Sequence, residues 1–312
     1  MAAASSSRSV LGLRTALKSC RNTPQQYIRS RALHSLPPLP AALREGKGCT
    51  PLFSQKTINM LWNEWQDGLL KNLNDQVKGT KWENSSIVET VIGTARDPHE
   101  ILAFNYASLA LNNSFFFNNL KPYNYPAGAT HWNDYPAPEP PKDLLEKIQN
   151  AFGSLAAFKL AFCQTAFGMS GSGYVWLVVD KNMDMGIIPT YGAGTILIQN
   201  RMQRDGARDE WMKPSYNEPT SPSSPTSPTG SLTSSRRMST SAKVMAPYKS
   251  SSVEGIERRG EELYPLLCIS VHERDWLFNH GCLGKELYLS VFWHCVDWDR
   301  VRQLYNEYKN AM

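Results

Sequence analysis

The sequence contains no apolar run approaching the ~18 residues that a membrane-spanning helix needs, which excludes a helical membrane protein from the readings worth pursuing. Cysteine is sparse: Cys20, Cys49, Cys163, Cys268, Cys282 and Cys295 are scattered, and no two form a CxxC pair. A disulfide framework or a cysteine-rich zinc module is therefore not expected, and the thiols suit a reducing compartment. His272, His280, Cys282, His294 and Cys295 lie close in sequence, but their spacings fit no recognised ligand pair. Also missing are a G-x-G-x-x-G unit, a P-loop and a G-x-S-x-G elbow, which removes the commonest nucleotide-binding and hydrolase signatures.

Acidic residues are absent from residues 1–33, which hold Arg8, Arg14, Lys18, Arg21, Arg29 and Arg31. The formal net charge of +5 therefore resides in this stretch, and the rest of the chain is close to neutral. The stretch is also rich in Ser and Ala, and Val10, Leu11, Leu13 and Leu17 can share one helical face. Basic, hydroxylated and acid-free is the composition of a mitochondrial presequence, so a matrix address is expected, with processing near Arg31–His34.

What remains is a chain of 312 residues with 41% hydrophobic content, enough for one large domain or two small ones. Residues 35–53 read as an extended lead-in, with Pro37, Pro38 and Pro40 followed by Gly46 and Gly48. Ser54 suits a helix cap, and Ile58, Leu61, Trp62, Trp65, Leu69, Leu70 and Leu73 recur at helical offsets up to Gly79. A short helix is expected over 86–94, a long one over 98–120, and two more over 142–152 and 154–168, the former with Pro141 at its start. The run Phe115-Phe116-Phe117 reads as helix-packing core. From Gly171 the period changes: Tyr174–Val179, Thr195–Ile198 and Tyr264–Ile269 read as three strands, followed by helices that carry Trp276, Phe292, Trp293 and Trp298. Between the second and third of these, residues 217–241 contain 18 Ser, Thr or Pro in 25 positions. Such a tract cannot bury enough apolar surface to offset its ordering entropy, so a disordered insert is expected over about 205–260. The whole is an α+β pattern: a helical hairpin over 34–120, then an α/β part over 121–312 with a small three-stranded antiparallel sheet.

Five ordered segments resemble the iron/manganese superoxide dismutases. Phe104-Asn105 through Asn112-Asn113-Ser114-Phe115-Phe116 is similar to the family's helix ending in Asn-His-x-Phe-Tyr/Phe. Ala151-Phe152-Gly153-Ser154-Leu155-Ala156-Ala157-Phe158-Lys159 resembles its "FGSxxxFK" helix pair, and Gly171-Ser172-Gly173-Tyr174-Val175-Trp176-Leu177 its "GSGWxWL" strand. Ala193-Gly194-Thr195 resembles "NAGTPL", and Phe292-Trp293 with Val296-Asp297-Trp298 resembles "FWxxVNW". The resemblance implies the dismutase fold over about 54–200 and 263–300.

That family holds one redox metal by three His and one Asp, ligand types suited to cycling between two oxidation states. Carried over by position, the first His falls on Leu61, the Asn-His ligand on Asn113, and the Asp and His of "DxWEH" on Ser270 and Arg274. The resemblance therefore implies that all four ligands are lost, that no cofactor is held, and that the chain is not an enzyme of the family's type. Trp65 and Leu69 stand where its outer His and Tyr would be, and Leu109 and Ser170 at its two alternative Gln positions. The Glu of "DxWEH", which in the family reaches across a two-fold interface, is retained as Glu273, now beside Arg274.

A metal-free dismutase fold with a mitochondrial presequence resembles the superoxide-dismutase-like proteins of the fungal mitochondrial ribosomal small subunit. This implies a structural role in mitochondrial translation, with small-subunit ribosomal proteins as partners, a second subunit of the same fold among them. Residues 201–260 hold ten basic and six acidic side chains, and Arg236, Arg237, Lys243, Arg258 and Arg259 are the candidate contacts of such an arm with ribosomal RNA. A solvated linker explains the same charges. Two other readings of the chain stay open on sequence: a metal-binding dismutase-type oxidoreductase, and a matrix scaffold outside the ribosome.

Overall fold

The computed structural model describes residues 34–46, 48–125, 132–198 and 262–312. Residues 1–33, where a presequence is expected, and the basic insert, with Arg236, Arg237, Lys243, Arg258 and Arg259, lie outside the described residues.

The first long helical run begins where Ser54 accepts a hydrogen bond from the Thr57 amide, satisfying one of the open donors at a helix start. It continues without a break through α1 (Gln55–Ile58), a π-helical segment (Asn59–Gln66) and α2 (Asp67–Val77). Helix α3 (Ile87–Thr94) opens on a capping box in which Ser86 and Glu89 satisfy each other's backbone donors. Helix α4 (Ile101–Asn118) packs against both α2 and α3. It carries the Phe115–Phe117 run inward: Phe116 and Phe117 are buried, and Phe115 meets the Trp176 ring at 5.6 Å.

Helices α5 (Lys142–Phe152) and α6 (Leu155–Gly168) are separated by Gly153, which takes a φ of +83° that a side chain would disfavour. Ser154 then caps α6 through the Ala157 amide. Strands β1 (Gly173–Val179), β2 (Met185–Tyr191) and β3 (Tyr264–Ser270) form one antiparallel sheet in the order β2-β1-β3. Every residue of the central strand β1 is buried, as its unbroken apolar run requires. Helices α7 (Glu273–His280), α8 (Lys285–Phe292) and α9 (Trp298–Ala311) complete the chain.

The second strand is displaced from its expected place. Thr195–Ile198 is a loop and turn, whereas β2 runs over Met185–Tyr191 and pairs along the whole of β1. Gly186 and Pro189 disguise this strand in the sequence. Its edge position makes the proline tolerable, because its missing N–H leaves no central ladder bond unmade. Leu197 and Ile198 instead pack on the cluster formed by Val77, Ala103 and Phe104.

One apolar core joins the helical and sheet parts. Leu61, Trp62, Phe116 and Phe117 from the first helices share it with Val175, Leu177, Ile269 and Tyr288.

Candidate functional site

Four pieces of the chain converge where the helical part meets the sheet: the π-helical segment, α4, β1 and the junction between β3 and α7. A π-helix is rare in soluble proteins and commonly marks a site where side chains must be re-aimed. Gln66, the last residue of this segment, is buried on the same face as Trp62 and Leu70. Gln66 Nε2 donates to the Ala110 carbonyl at 3.0 Å, while its Oε1 accepts from Asn113 Nδ2 at 2.9 Å. Asn113 Nδ2 also approaches the Leu61 carbonyl at 3.3 Å. Leu61, Gln66 and Asn113 are all buried, so this amide pair locks the π-segment to α4 inside the core.

The other half is built at the end of β3. Ser270 is buried, its hydroxyl donates to the carboxylate of Asp275, and its carbonyl accepts from the Tyr288 hydroxyl at 3.0 Å. The His272 ring meets Tyr174 edge-on at 5.1 Å. The guanidinium of Arg274 lies over the Trp65 ring, 4.0 Å from its centre, which joins this half to the π-segment. Glu273 is exposed and accepts a hydrogen bond from the Ser172 hydroxyl at 3.1 Å.

Electrostatics at this junction are unbalanced. Trp65 Nε1, Tyr174 Oη, His272 Nε2, Arg274 Nε and Nη2, and Asp275 Oδ1 are buried and have no hydrogen-bond partner. Burial pushes the Asp275 carboxyl up to about 6, against the opposing pull of Arg274 and the Ser270 hydrogen bond. Burial, reinforced by the Arg274 charge, drives His272 down to about 3, so its imidazole is neutral. The Tyr174 hydroxyl is raised by complete burial.

Comparison with known proteins places this geometry. Residues 140–204 match the model for the C-terminal domain of iron/manganese superoxide dismutases. The iron superoxide dismutase of Bordetella pertussis is 32% identical over 53% of this chain and 75% of its own length. That of Escherichia coli strain K12 is 33% identical over 51% of this chain and 74% of its own. The chain belongs to the iron/manganese superoxide dismutase family. The small ribosomal subunit protein mS43 of Schizosaccharomyces pombe is 23% identical, over a longer span: 81% of this chain and 79% of that protein.

The side chains at the positions expected to carry the dismutase metal do not fit it. Leu61 has no lone pair, and the Asn113 amide is turned so that its nitrogen donates. The Ser270 hydroxyl donates to Asp275, and Arg274 is a permanent cation that no metal would approach. Among the described residues, no three His, Cys, Asp or Glu side chains gather as a metal-binding group. The zinc-like run in the sequence is dispersed: His280 faces the Leu52 carbonyl, His294 the Tyr135 carbonyl, and Cys282 is exposed.

Two residues of the junction escape a reading by family positions. Gln66 lies at helical offsets from buried Trp62 and Leu70, but a polar side chain on that face does not read as core in the sequence. Asp275 is visible in hindsight as a carboxylate five residues after Ser270, the position expected to correspond to the family's Asp.

Proposed function

We propose that this chain is a non-catalytic structural protein of the mitochondrial ribosomal small subunit, a dismutase fold without its metal site. The single observation that carries this reading is the match to small ribosomal subunit protein mS43 along four-fifths of the chain, where the dismutases match only half. The residues at the junction support it: an apolar side chain, an amide, a hydroxyl and a guanidinium stand where dismutase chemistry needs imidazoles and a carboxylate. Fold alone would favour an enzyme, but function resides in sites.

On this reading residues 1–33 are the address to the matrix, and the 34–120 hairpin and the 121–312 α/β part are two domains that share one apolar core. Glu273 and Arg274 are the face that meets a second subunit of dismutase fold. Arg236, Arg237, Lys243, Arg258 and Arg259 are the contacts to ribosomal RNA.

A sucrose gradient of mitochondrial lysate tests the proposal. The protein is expected to sediment with the small subunit and to follow it when magnesium is lowered and the subunits part. Sedimentation as a free protein at both magnesium levels would leave the scaffold reading in its place.

A further inference from the structure

We propose that Cys49 and Cys295 form a dithiol that closes into an intramolecular disulfide, tying the segment before the first helix to the turn before the last. Three stretches far apart in sequence are laced together here. Cys49 and Phe53 exchange backbone hydrogen bonds at 2.8 Å each, the Tyr123 amide donates to the Thr50 carbonyl at 3.3 Å, and the Lys121 amide donates to the Cys295 carbonyl at 2.9 Å. An isolated bridge joins Leu120 to Val296. Within that lacing the Cys295 thiol approaches the carbonyls of both Cys49 and Thr50 at 3.4 Å.

No other pair among the described cysteines is placed this way. Cys163 is engaged by the Trp293 Nε1–H at 3.2 Å and faces the Leu289 carbonyl, and Cys282 is exposed. Cys49 and Cys295 are both fully buried, so a bulky disulfide reagent has no path to them. The neighbouring Cys295 side chain, and then burial, also hold the Cys49 thiol well above its ordinary pKa. The oxidant must therefore be small, and a peroxide meets that need.

The step balances as follows. One sulfur loses its proton and attacks a peroxide oxygen, so that an S–O bond forms, the O–O bond breaks and water leaves. The second sulfur then attacks the first, the S–S bond forms, the S–O bond breaks and a second water leaves. The two sulfurs supply two electrons, and both thiol protons end in water. The product closes a loop spanning a sequence separation of 246, which removes a large share of the freedom of the unfolded chain.

The inference is independent of the ribosomal reading, and its test needs no ribosome. The purified full-length chain carrying Cys282→Ser is treated with stoichiometric hydrogen peroxide, digested without reduction and analysed by mass spectrometry. A peptide joining Cys49 to Cys295 is expected. The thermal midpoint should rise by roughly 5–10 °C, and dithiothreitol should reverse the rise. A Cys295→Ala chain should show neither change. Sulfinic acid at either cysteine in place of the bond, another pairing, or a link formed only after denaturation would overturn the proposal. The peptide analysis of the unaltered pair decides the matter even if Cys295→Ala does not fold.

Discussion

The Arg274 guanidinium carbon lies 4.0 Å from the centre of the Trp65 ring. A fixed cation at the start of α7 thus rests on an aromatic face from the π-segment, while two of its nitrogens remain buried without partners. On the proposed reading both residues are replacements, a His by Arg274 and an outer His by Trp65. The contact they make is apolar and cationic where the family has a coordination sphere. The Ser270 hydroxyl donates to Asp275, which sits fully buried beside that cation.

Metal content is the most direct consequence. The purified chain is expected to hold no stoichiometric iron or manganese and to lack dismutase activity, as elemental analysis and an activity assay would show. Arg274→His by itself should restore neither, because Leu61, Asn113 and Ser270 still supply no ligand. One tightly held iron or manganese per chain would defeat the non-catalytic reading.

Stability should depend on pH through two opposed groups. Asp275 is raised in the folded state, so its stabilising contribution is full below about 4 and is lost as pH climbs through about 6. His272 is lowered, so its contribution is lost in the other direction, as pH falls from 6.5 through about 3. Between about 4 and 6 the two slopes offset each other. Asp275→Asn removes one of them. Urea unfolding of both proteins should show the wild type losing about 3 kcal/mol relative to the variant between pH 4 and pH 7. A difference that does not change with pH would mean that Asp275 is not held as described.

The buried amide pair should behave as a coupled unit. Gln66→Leu leaves the Asn113 amide and the Ala110 carbonyl short of a partner and should cost about 1–3 kcal/mol. Adding Asn113→Leu should cost less than its effect in the wild type, since the polar group left stranded is then gone. Strict additivity in a double-mutant cycle would dissolve the claimed pairing.

Pairing with a fold-mate is better probed at Glu273 than at Arg274. Reversing Arg274 to Glu would set a new anion beside buried Asp275, so the fold itself would suffer along with any interface. Glu273 is exposed and holds only the Ser172 hydroxyl among the hydrogen bonds found for its side chain. Glu273→Lys should therefore leave the thermal midpoint nearly unchanged while weakening association by about 2 kcal/mol or more, read by co-purification and analytical ultracentrifugation. Unaltered association would assign the pairing surface elsewhere.

Much of the architecture was legible because it follows from local pattern. The offsets from Ile58 to Leu73, the Ser54, Ser86 and Ser154 caps and the unbroken run of β1 each dictate their element through backbone hydrogen bonding and one buried face. The family likeness was legible too, because its motifs are short and contiguous. Strand β2 was not. Gly186 and Pro189 read as breakers, and only the pairing partner offered by β1 and the open edge beyond it make that segment a strand. The residue types at the expected ligand positions could be read from the order of the chain alone. The arrangement around them could not: the pairing of Gln66 with Asn113, the stacking of Arg274 on Trp65 and the approach of the Cys295 thiol to the Cys49 carbonyl all join residues remote along the chain. Such contacts are set by the packing of whole elements, which no local period encodes.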